Sequence, residues 1–152
     1  MAITQAIANA FKKQLLEGDQ NFKSSGGDVF KLALYTSSAT LNSTTTAYST
    51  NPGGGADTEV PNSGQYTAGG SDLVNNGTSI ASGVAIVDFA DLSFTGVTLT
   101  ARGALIYNTS SAVTNAAVAV LDFGADKTAT SGTFTVQFPA FTTAAAILRI
   151  SG

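Results

Sequence analysis

The sequence predicts a mainly β domain, a β-sandwich or barrel-like sheet pair, with one α-helix at its N-terminal end. Three observations carry this expectation. Of the 152 residues, 43% are hydrophobic but only 11% are charged, well under the ~25% of ordinary soluble domains. Ser and Thr fill about a quarter of the chain beside 16 Gly, and Thr and Val pack well on a pleated surface. From residue 66 onward, short apolar–polar alternations are separated by Gly, Asn and Asp, the pattern of strands and turns. A chain of this length can bury ~70% of its unfolded surface. It reads as a single domain over 1–152, with a helix over 2–17, an extended loop region over 37–66 and a β-rich body over 66–152.

The helix rests on Ile3, Ile7, Phe11 and Leu15, which recur at i+4 with Ala6 and Ala10 beside them. That spacing gives one narrow apolar stripe. Gly18 fits the left-handed position that ends a helix. So short a stripe needs a partner surface, either its own domain or a neighbouring subunit. Val29–Thr36 alternates with Phe30, Leu32 and Leu34 on one face, which predicts a half-buried strand. Residues 37–66 are dense in turn formers, including Asn51-Pro52-Gly53-Gly54-Gly55 and Pro61-Asn62-Ser63-Gly64. A loop of this length is either a functional extension or hides a short strand, with Thr58–Val60 the place for one.

Further strands are expected at Tyr66–Leu73, Ile80–Phe89, Asp91–Phe94, Thr98–Tyr107, Val118–Phe123, Thr133–Phe138 and Ala146–Ile150. Turns are expected at Asn75-Asn76-Gly77, Thr95-Gly96, 108–115, Gly124-Ala125-Asp126 and Ser131-Gly132. Many short strands with frequent turns suit two packed sheets.

Absent residues exclude whole chemistries. The chain has no Cys and no His, so disulfides, thiolate metal sites, Cys nucleophiles, the Ser-His-Asp triad and imidazole-ligated metals cannot occur. Seven Lys and Arg against ten Asp and Glu give a net charge of −3 and a pI near 4.5. A nucleic-acid partner requires a basic footprint, and anionic membranes attract basic segments; neither partner is expected. No apolar run reaches 18 residues, and no secretory leader is expected at the N-terminus.

The remaining constellations are weak as catalysts. Asn51-Pro52-Gly53-Gly54-Gly55-Ala56 lacks the Gly-Lys-Ser/Thr ending of a phosphate loop and reads as a flexible surface loop. Asp88 and Asp91 lie where turn carboxylates bond nearby N–H groups, and their spacing does not specify a glycosidase pair. Asp122 and Asp126 flank Gly124 without the alternate spacing of a Ca²⁺ loop. No catalytic residue, metal ligand or cofactor is therefore expected. Arg102 is more informative: it sits mid-strand in an apolar run and needs a carboxylate partner. That partner lies either within the fold or across a subunit interface, and losing Arg102 is expected to destabilise the fold or its oligomer. The absence of Trp leaves only a weak carbohydrate-binding signal.

Several runs are distinctive in combination. They are Gly27-Asp28-Val29-Phe30-Lys31-Leu32-Ala33-Leu34-Tyr35-Thr36, Phe89-Ala90-Asp91-Leu92-Ser93-Phe94, Thr100-Ala101-Arg102-Gly103-Ala104-Leu105-Ile106-Tyr107-Asn108 and Ala119-Val120-Leu121-Asp122-Phe123-Gly124. With Leu15-Leu16-Glu17-Gly18 they resemble small virion structural proteins of tailed bacteriophages, over about three quarters of the chain; 51–57 stands apart as an extra loop. The resemblance implies a particle component without enzymatic activity. The reading taken from it is a capsid decoration (cement) protein on the outer head surface. Its partners would be the major capsid protein and further copies of itself, as a trimer. The alternatives are a tail or head–tail connector component, or a receptor- or glycan-binding module on the virion surface. Ile3, Ile7, Phe11, Leu15 and Arg102 are the interface and structural candidates.

Overall fold

A computed structural model describes residues 2–152. The described residues form one helix, α1 (Asn9–Glu17), and eight strands: β1 (Ala6–Ile7), β2 (Phe30–Tyr35), β3 (Ser71–Asp72), β4 (Asn75–Ala81), β5 (Val84–Phe89), β6 (Leu92–Asn108), β7 (Ala116–Val136) and β8 (Leu148–Ile150). They build a five-stranded sheet, β1-β7-β6-β2-β3, and a three-stranded sheet, β4-β5-β8. All strand pairs are antiparallel. The expected mainly β, sandwich-like architecture with one short N-terminal helix is what the chain adopts.

The helix is shorter than the 2–17 expected. Ala6 and Ile7 pair with Val120 and Ala119 on the edge of β7, Ile3 bridges Leu41, and the Ala8 N–H donates to Val118 O at 3.0 Å. Strand partners on an open edge outcompete an N-terminal turn that contains β-branched Ile3, Thr4 and Ile7. The helix starts after Ala8, whose ψ of 135° is extended, and ends at Gly18 with φ 79°. The N–H groups of Gly18 and Asp19 return to Leu15 O and Gln14 O, closing the last turn.

Several expected turns lie inside long strands. Thr95-Gly96 is a bulge within β6, marked by the register shift between Phe94 and Val97; Gly96 has φ 63°, which suits an added residue in a strand. Gly124-Ala125-Asp126 and Ser131-Gly132 likewise lie within β7. Asn75-Asn76-Gly77 opens β4 as a bulge. Conversely, the strand expected over Ile80–Phe89 is a hairpin. Ser82 and Gly83 take φ 50° and 76°, the left-handed pair that two-residue hairpins require. The strand expected over Tyr66–Leu73 shrinks to Ser71–Asp72.

The large sheet is apolar on both faces in its centre. Leu32, Ala33, Leu34 and Tyr35 of β2, Ala104, Leu105 and Ile106 of β6, and Val118 and Val120 of β7 have no accessible surface. Phenylalanines join helix and sheets. Phe22 stacks on Phe30 at 4.4 Å and meets Phe11 edge-on at 5.8 Å, and Phe89 packs on both Phe30 and Phe138. A buried polar chain ties the helix to β6. Gln20 Nε2 donates to Gln14 Oε1 at 2.8 Å, and Asn108 Nδ2 donates to Gln20 Oε1 at 2.8 Å and to Asp28 Oδ2 at 2.7 Å. Buried amides are tolerated because each finds a partner.

Candidate functional site

Two constellations stand out. The first surrounds Glu59, which the sequence reading passed over. All four tyrosines of the chain gather in one region of the fold around it, and Glu59 itself is 5% exposed. Its Oε2 accepts the Tyr48 hydroxyl at 2.7 Å; its Oε1 accepts the Tyr66 hydroxyl at 2.8 Å and the Gly69 N–H. Tyr107 stacks on Tyr48 at 4.6 Å and donates to Gly69 O at 2.6 Å. Tyr35 donates to Ser49 O at 2.7 Å. The Tyr66 oxygen also accepts the Leu34 N–H at 2.8 Å, deep in β2.

Among the described residues no Lys or Arg lies within 4 Å of Glu59. Neutral donors alone hold its charge, which is adequate only while all are present. Burial pushes the Tyr107 phenol up to about 12, with Glu59 and Asp72 adding to the effect. Burial first, and Glu59 with it, raises Tyr35, Tyr48 and Tyr66 far above the ordinary phenol range.

The consequence is a fixed loop. Residues 37–66, expected to be a long extension with a strand near 58–60, form isolated bridges instead: Tyr35 with Glu59, Ala47 with Ala116, and Ser63 with Tyr66. The Thr58 and Glu59 N–H groups donate to Thr50 O, Val60 N–H to Leu34 O, and Tyr48 N–H to Asn115 O. Even the Gly-rich tip is tied: Asn51 Nδ2 donates to Gly55 O at 3.0 Å, and Thr50 Oγ1 donates to Asp57 Oδ1 at 2.8 Å. Residues 53–57 nonetheless stand exposed. Four tyrosines and one glutamate scattered over 73 positions gave no local signal of this assembly.

The second constellation is at Arg102. Its Nε donates to Asp122 Oδ1 at 3.1 Å, within the same chain. Between the pairs Ala101↔Lys127 and Gly103↔Asp122, Arg102 alone opposes residues 123–126. This is a bulge, and bulges re-aim side chains. Asp122 Oδ1 also accepts the Gly124 N–H at 2.9 Å. That backbone bond, with the Arg102 contact behind it, holds the carboxyl below its usual range. The carboxylate partner therefore lies within the fold, and with the Arg102 side chain 34% exposed the pair is partly open to solvent.

The other candidates are dispersed. Ile3 and Phe11 are buried in the core, and Ile7 and Leu15 pack half-buried against it. All four face the chain's own domain. Leu16, beside the stripe, is 92% exposed. Asp88 accepts from Asn76 Nδ2, and Asp91 accepts the Phe138 N–H across 47 residues, so neither caps its own turn. Among the described residues no three His, Cys, Asp or Glu converge as a metal site. No helix there is long and apolar enough to cross a membrane. Comparison of the chain with protein-family models, curated proteins and solved structures gave no match.

Proposed function

We propose that the chain is a virion structural protein of a tailed phage, acting as a capsid decoration protein that bridges major capsid protein subunits on the mature head. The observation that carries this reading is the latched loop. A Gly-, Ser- and Thr-rich segment of about thirty residues, expected to be a functional extension or to hide a short strand, is held by buried tyrosines and a carboxylate. It presents an exposed tip at 53–57. A pre-organised surface segment loses little conformational freedom on docking, which suits a protein whose work is contact. The runs that resemble virion proteins support the same reading, since most of their residues fall on β2, β6 and β7, adjacent strands of one sheet, with 15–18 closing α1 and Phe89 ending β5. The likeness therefore lies in the scaffold that positions the loop.

The mechanism is mechanical. Each copy adds buried area across contacts between shell subunits. Symmetric assembly, as a trimer at a local three-fold axis, lets all copies use the same patch. Weak contacts made together raise avidity by ~10²–10⁴. Quantitative gel staining of purified virions tests the placement. Decoration predicts on the order of hundreds of copies per particle, since a closed shell repeats each local axis many times. A count of about a dozen, that of one closed ring, would replace this reading with a connector or tail component.

A further inference from the structure

A cleft lies beside the β7 bulge. It has a volume of about 510 Å³ and runs between β7 and the segment that follows it. We infer that this cleft binds a neutral saccharide, with Phe123 as the stacking face and the Asp122 carboxylate as acceptor for neighbouring hydroxyls. The inference is independent of the capsid reading.

The volume lies within the ~300–1,000 Å³ of small-molecule sites. Sugar rings carry an apolar C–H face and an edge of hydroxyls, so a site needs an aromatic plane beside fixed polar groups. Phe123 is half-buried and lines the cleft; the buried Phe134 lines it too, its ring centre 6.1 Å from that of Phe123 and tilted by 48°. Asp122 is fixed by Arg102 and the Gly124 N–H, both on Oδ1, leaving Oδ2 for incoming donors. Arg102 is here a positioning residue.

Six further polar side chains line the same cleft: Gln5, Lys127, Thr128, Thr133, Thr135 and Gln137. Gln5 Oε1 accepts the Asp122 N–H at a long 3.4 Å. The exposed Lys127 and Gln137 make no side-chain hydrogen bond or ion pair among the described residues. An apolar ligand would desolvate these groups without pairing them. An anionic one could pair with Lys127 but would set its charge against the fixed Asp122 carboxylate. A neutral polyol with one apolar face satisfies both constraints.

The test is saturation-transfer NMR on the full chain, with glucose, galactose, mannose, N-acetylglucosamine, maltose and lactose offered separately and sialic acid as the anionic comparison. Transfer to at least one neutral sugar is expected. Phe123→Ala and Gln137→Ala should each weaken it about tenfold, while Ser79→Ala, exposed on β4 and outside the cleft, leaves it intact. Should Phe123→Ala fail to fold, Gln137→Ala at an exposed position decides. Transfer to none of the neutral sugars, equal transfer in the Gln137→Ala protein, or preference for sialic acid would each overturn the inference.

Discussion

Replacing Glu59 by Leu removes the acceptor for three donors while roughly preserving side-chain bulk. The Tyr66 hydroxyl is fully buried and the Gly69 N–H partly so; the Tyr48 hydroxyl is near enough to solvent to find water. An orphaned buried donor costs ~1–3 kcal/mol. With two orphans, partly offset by burying a leucine in place of a polar group, the expected loss is about 2–5 kcal/mol. For a domain near 150 residues, each kcal/mol shifts Tm by ~2–4 °C, so Glu59→Leu should melt roughly 4–20 °C below the parent. Glu59→Gln should lose much less. Its carbonyl can still accept from Tyr66 and Gly69, and its amide can donate to the Tyr48 oxygen. Thermal melts followed by circular dichroism measure both variants. Limited proteolysis should additionally show cleavage within 37–66 only in Glu59→Leu. A Glu59→Leu protein melting within about 2 °C of the parent would refute the latch.

Other consequences follow from the same geometry. The raised phenols keep Tyr35 and Tyr66 neutral in the folded chain, while unfolded phenols ionise near pH ~10. Their contribution is therefore complete below pH ~10 and falls above it, by about 2.7 kcal/mol per pH unit for these two buried groups. Alkaline melts with tyrosinate absorbance should show ionisation of the pair coinciding with unfolding; free titration of all four phenols near pH ~10 in a folded chain would contradict this. Arg102→Ala should cost no more than ~1 kcal/mol, as for exposed ion pairs, and a loss above ~3 kcal/mol in denaturant titration would mean the pair is effectively buried. At Gly70, with φ 76°, an added Cβ would collide with the Leu32 carbonyl, so Gly70→Ala should cost at least about 2 kcal/mol. Gly18→Ala, left-handed but facing open space, should cost ~1 kcal/mol in the same titration.

The β architecture was legible because alternation reports which face of a strand is buried. Phe30, Leu32 and Leu34 did so for β2, and Phe134 and Val136 for the end of β7. Strand boundaries were not, because glycine marks both turns and bulges. Gly96 and Gly124 punctuate continuous strands, whereas Ser82-Gly83 turns the chain back. The helix stripe reported burial correctly at Ile3, Ile7, Phe11 and Leu15, but not conformation before Ala8, where the β7 edge competes for the backbone. Arg102 drew attention as a charge in an apolar run, and its partner Asp122 lies twenty residues on, across the ladder. The Glu59 cluster left no trace in sequence, since its five side chains meet only when β2, β6 and the loop are assembled.

The most direct test of the decoration reading is particle melting. Virions are stripped of the protein or produced without it, the purified chain is added back, and head melting is compared with and without it. The reading predicts that bare heads lose DNA at lower temperature, that added protein restores the parent value, and that Glu59→Leu restores it poorly. Co-purification with isolated tails, with head melting unchanged by deletion or add-back, would contradict it.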